Sequence, residues 1–139
     1  MVIPVCTPLR KRFLIAISLS IFFGFVCAWL ASGSNPGIWG SALMWAIVTN
    51  RLIIGMIVGL AGVYLRHPVL NFPIPAYIRG TCLGVFVSLS LASGTMITPI
   101  ANQNPWNIFF ATLIAGGIYG LIIDLAATKW GGEGKELLK

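Results

Sequence analysis

Residues 38–65, IWGSALMWAIVTNRLIIGMIVGLAGVYL, are apolar enough to enter a bilayer, yet they carry Asn50 and Arg51 near their midpoint. An arginine at the centre of a membrane helix costs about 2.5–3.5 kcal/mol on insertion scales, so it usually pairs, snorkels or faces a cavity. On one helix Arg51, Gly55, Gly59, Gly62 and Arg66 form a narrow stripe, because successive residues advance by about 100°. That stripe is expected to face protein. The alternative is an offset helix that leaves Asn50 and Arg51 among the outer headgroups.

The remainder of the chain is consistent with a membrane protein. Hydrophobic residues make up 58% of its 139 positions and charged residues 9%, against about a quarter charged in soluble domains. The formal net charge is +6, but the basic residues stand singly or in one triplet between apolar runs. No polar domain presents them as a patch, so nucleic acid is excluded as a partner and the lipid bilayer is expected instead. Cys6, Cys27 and Cys82 make no C-x-x-C pair, and His67 is the single histidine. No metal site, cofactor or disulfide framework is expected.

Read in order, residues 1–12 hold two prolines and the triplet Arg10-Lys11-Arg12, and read as a non-helical lead. The apolar run that follows is too long for a signal-peptide core and close to the roughly 20 residues that cross a bilayer. Spans are predicted over about 13–31, 38–65, 80–98 and 107–128. Span two exceeds the hydrocarbon thickness, so it must tilt, kink near Asn50 or begin as an interfacial helix. The proline-rich connection 67–78 cannot span and is expected to lie in the interface with Phe72 and Tyr77 as anchors. The tail KWGGEGKELLK reads as solvated.

Cytoplasmic loops are enriched in Lys and Arg near span ends. With the N-terminus inside, Arg10, Lys11, Arg12, Arg66, Arg79, Lys129, Lys135 and Lys139 all fall on the cytoplasmic side, and the opposite loops 32–37 and 99–106 hold none. The predicted architecture is therefore an all-α integral membrane protein, an antiparallel four-helix bundle with short loops and both termini cytoplasmic. A bacterial cytoplasmic (inner) membrane is the expected location.

Small residues recur at helical spacing in every span, including the G-x-x-x-G pairs Gly55–Gly59 and Gly116–Gly120. In lipid such stripes let backbones approach closely. Gly55, Gly59, Gly62, Gly116 and Gly120 are assigned to helix packing, within one chain or in a homo-oligomer. Arginine's planar fork suits carboxylate or phosphate, which makes Arg51 a candidate anion or lipid-headgroup ligand with Asn50, Ser20, Ser88 and Thr112 lining the site. Asp124, the one acid in a span, is expected to pair with Arg79, or with Arg66 or Arg12. Arg51 stands roughly 22 Å along a helix from Arg66, whereas Asp124 stands roughly 8 Å from Lys129, too different a depth for an Arg51–Asp124 bridge. His67 reads as an interfacial residue, and Cys6 as a candidate for acylation.

The chain resembles small multidrug exporters in length and number of spans, but those carry a glutamate in the first span, where this chain has no acid. No functional residue is carried over from them. No nucleophile–base pair, phosphate loop or paired carboxylate is visible, so an enzyme is not expected. Two functions follow. The first is a structural or accessory subunit docking in a homo-oligomer or larger membrane complex. The second is a small transporter or channel with a midplane anion or lipid-phosphate site at Arg51.

Overall fold

The computed structural model describes residues 7–34, 36–66, 71–97 and 103–138. Four helices account for most of them: α1 (Thr7–Ser34), α2 (Ala42–Ala61), α3 (Ala76–Ile97) and α4 (Pro105–Gly131), with short 3-10 turns at Pro36–Ile38 and Gly134–Leu138. No strand occurs among the described residues; Arg66 and Pro73 form one isolated bridge. All four helices are long and apolar enough to cross a membrane.

Local chemistry sets the helix ends. The Ser41 hydroxyl accepts from the Met44 amide and caps α2, while donating to the Ile38 carbonyl. Asn104 caps α4 by accepting from the Trp106 amide, ahead of Pro105 in the first turn, a position where proline's missing N–H costs nothing. Gly132, at φ +83°, ends α4 in a backbone conformation that a Cβ would strain.

Several expectations are corrected here. The lead into span one is not wholly non-helical: α1 begins at Thr7 and includes Arg10, Lys11 and Arg12, because proline at the first turn fits a helix start. Helix α2 begins at Ala42, not Ile38, runs unbroken through Asn50 and Arg51, and ends at Ala61. Arg66 therefore stands beyond it, and Gly62 caps it. Helix α3 begins at Ala76, ahead of Arg79, so the connection is shorter than 67–78; His67 and residues 68–70 lie outside the described residues, as do Cys6 and residues 98–102. The tail is not simply solvated. Lys129, Trp130 and Gly131 extend α4, the Gly134 amide donates to the Gly62 carbonyl, and Leu137 is fully buried.

The burial pattern inverts that of a soluble domain. Arg12, Asn50, Arg51, Arg79, Ser88 and Asp124 are buried, while Phe86 is 78% exposed and Phe22, Trp29, Trp106, Ile114 and Trp130 are also exposed. An apolar surface this extensive marks contact with lipid, and the chain is an integral membrane protein with four candidate spans.

Small residues make the interior contacts. A Cβ on Gly84 would fall on the Gly116 carbonyl, and one on Gly120 on the Gly80 carbonyl, so α3 and α4 meet backbone to backbone. Between α1 and α2, Gly55 lies against Ser20 and the Ala16 carbonyl, and Gly59 against Phe13 and Ala16. Gly62 lies under the Arg12 guanidinium. The G-x-x-x-G pairs Gly55–Gly59, Gly80–Gly84 and Gly116–Gly120 are thus all occupied within the one chain. Gly94 of α3 differs, since a Cβ there meets nothing within 4 Å. Gly94→Ala is expected to raise stability by about 0.5–1 kcal/mol through helix propensity alone, read as a higher unfolding midpoint in detergent.

Candidate functional site

Two buried polar clusters sit in the bundle, and they differ in whether their charges are matched. In the first, Asp124 of α4 receives arginines from two other helices. Arg79 of α3 grips it side-on, with Nε donating to Oδ2 at 2.8 Å and Nη2 to Oδ1 at 2.9 Å. Arg12 of α1 donates to Oδ1 through Nη2. Arg12 spends its other donors on the Gly59 carbonyl at 3.2 Å, the Thr128 hydroxyl at 2.9 Å and the Gly132 carbonyl at 2.8 Å. Arg79 also donates to the Tyr64 carbonyl and reaches Glu133 at 3.4 Å. With Glu133 counted, two cations face two anions. Such a cluster ties α1, α3 and α4 together and leaves no charge for a ligand.

The predicted Asp124–Arg79 pair is therefore present, with Arg12 as a second partner and Arg66 not among them. Glu133 was missed because the tail read as solvated; its place shortly after a helix-ending glycine pair, in a chain with two other acids, was the available signal.

The second cluster surrounds Arg51, which is 1% exposed. Nη1 donates to Asn50 Oδ1 at 2.9 Å and to Ser88 Oγ at 2.7 Å. Asn50 Nδ2 in turn donates to the Val87 carbonyl at 3.0 Å, which fixes the amide across the α2–α3 contact. Tyr119 of α4 places its ring 5.2 Å from the guanidinium carbon, and Phe23 of α1 stacks on that ring at 4.9 Å. A desolvated cation over an aromatic face gains about 2 kcal/mol. The other edge of the guanidinium is poorly served. Among the described residues, Nη2 has only the Cys27 sulfur at 3.6 Å, and Nε has no partner.

None of the described carboxylates approaches Arg51; Asp124 and Glu133 both belong to the first cluster. Arg51 instead lines a cavity of about 430 Å³ between the helices, with Cys27 and Tyr119 beside it. Apolar walls follow, including Ile47, Leu91 and Ala115, and Gln103 and Asn107 stand near the start of α4.

Of the residues expected at this site, Arg51, Asn50 and Ser88 come together, and Thr112 lines the cavity. Ser20 does not join them. It is buried against Gly55 and donates to the Ile17 carbonyl. Cys27 and Tyr119 were missed, because both read as ordinary apolar-span residues; a hydroxylated ring well inside a span was the one hint for Tyr119. Among the described residues no group of His, Cys, Asp or Glu is placed to hold a metal ion. No protein-family model, curated protein or solved structure matches the chain.

Proposed function

We propose that the protein is a non-enzymatic, multi-pass membrane protein whose Arg51 binds an anion at mid-depth, in the manner of a small transporter or channel. The architecture proposed is an antiparallel four-helix bundle in a bacterial inner membrane with both termini cytoplasmic. One observation carries the functional reading: Arg51 is buried at the lining of a cavity and unmatched by any described carboxylate, whereas Arg12 and Arg79 are paired with Asp124, and Arg79 also with Glu133. A charge held out of water without a counter-charge is expensive, and a bound anion would relieve that cost.

The accessory-subunit reading also has support, since Arg51 donating to Ser88 and Asn50 donating to the Val87 carbonyl join α2 to α3. The two readings separate on thermal unfolding in detergent with a panel of chloride, phosphate, benzoate and decanoate. A bound anion at a hundred times its Kd stabilises by about 2.7 kcal/mol. At least one member of the panel is expected to raise the Tm of the native chain and not that of Arg51→Gln. If none does, and Arg51→Gln instead loses assembly, the accessory-subunit reading replaces this one.

A further inference from the structure

Resting on the anion-site reading, we infer that the Arg51 cavity takes a monocarboxylate with an apolar body, the carboxylate seated side-on on the Nε–Nη2 edge and the body lying along the cavity walls. The chain contains its own template for that contact. Arg79 offers the same Nε–Nη2 edge, and there a carboxylate fills it, with Asp124 accepting at 2.8 and 2.9 Å. In Arg51, among the described residues, the corresponding Nε has no partner and Nη2 has only a thiol. A thiol is a weak acceptor. A ligand carboxylate would take its place by a turn of the Cys27 side chain, and Cys27 also lines the cavity.

Charge and shape narrow the ligand further. Arg51 supplies one positive charge, and its Nη1 is already committed to Asn50 and Ser88. One planar two-oxygen group matches one free edge. A phosphate carries further oxygens that the Nε–Nη2 edge leaves unserved in a lining that is mostly apolar, and burying them unpaired is costly. A small hydrophilic acid such as acetate would fill little of 430 Å³, a volume within the range of about 300–1,000 Å³ that pockets for drug-sized ligands span.

The test is equilibrium binding of radiolabelled decanoate to the full chain in phosphatidylcholine nanodiscs, with empty nanodiscs subtracted. Saturable binding is expected, with decanoate preferred about ten- to a hundredfold over decanol, the difference of a hydrogen bond to a charged group. Acetate, decylammonium, decyl phosphate and inorganic phosphate should compete weakly. Arg51→Gln should abolish binding. So should Cys27→Asp, which offers the edge an internal carboxylate, and Ala111→Trp, which fills the cavity from an exposed position on α4 without touching the Arg51 bonds. Equal competition by decanol would overturn the carboxylate assignment, as would binding that survives all three substitutions. Displacement by decyl phosphate or inorganic phosphate better than by decanoate would overturn it while leaving the anion site standing. If decanoate does not saturate and no anion shifts the Tm, both inferences fall together.

Discussion

Asp124→Ala is expected to leave a chain that inserts but does not hold its helices together. The carboxylate is fully buried, and two arginines from different helices converge on it. Removing it leaves Arg12 and Arg79 side by side with Glu133 as the one remaining carboxylate among the described ion pairs, its side chain 39% exposed and reaching Arg79 at 3.4 Å. Removing one partner of a buried ion pair costs about 3–5 kcal/mol, because the abandoned charge keeps its desolvation cost and loses its compensation. The measurement is the midpoint of unfolding by sodium dodecyl sulfate from mixed micelles, followed by circular dichroism. A triple variant, Asp124→Leu with Arg12→Leu and Arg79→Leu, should recover much of the loss, since apolar replacements of a whole buried ionic cluster are often neutral. An unchanged midpoint in Asp124→Ala would show that the arginines do not depend on this carboxylate.

Gly84→Leu is expected to separate α3 from α4. No side chain fits at this position, because the first added carbon already falls on the Gly116 backbone carbonyl, and a carbonyl in a helix cannot swing aside as a side-chain tip can. The cost should reach the upper part of the overpacking range, about 3 kcal/mol. Much of it reflects lost close approach between backbones, which supplies helix association where lipid offers no hydrophobic drive. The same unfolding assay measures it, and Gly94→Ala serves as the internal contrast. Should Gly84→Leu unfold at the native midpoint, the backbone-to-backbone contact would not be a source of stability.

These two sites illustrate what a sequence of this kind discloses. Four spans were legible because apolar runs of sufficient length are unambiguous, and the Asp124–Arg79 pair was legible because so few charges sit near the spans. Helix ends were less so. The start of α1 was hidden by prolines that fit a first turn, and the start of α2 by apolar residues that belong to a capped turn instead. Gly84 was legible as part of a small-residue face, but its partner was not: small residues recur on every span, and only the packing sets it against Gly116. Arg51 stood out as a charge in the wrong solvent. Its surroundings did not, since Cys27 and Tyr119 acquire their meaning only when α1 and α4 bring them to α2.

The order in which the chain is made bears on the first cluster. Arg12 emerges with the opening helix and Asp124 with the last, and chains assemble from the N-terminus as they leave the ribosome. Arg12 and then Arg79 are therefore made before the carboxylate they share. Completion of α4 brings Asp124 to both arginines, so a nascent chain halted after α3 carries Arg12 and Arg79 without the carboxylate they share.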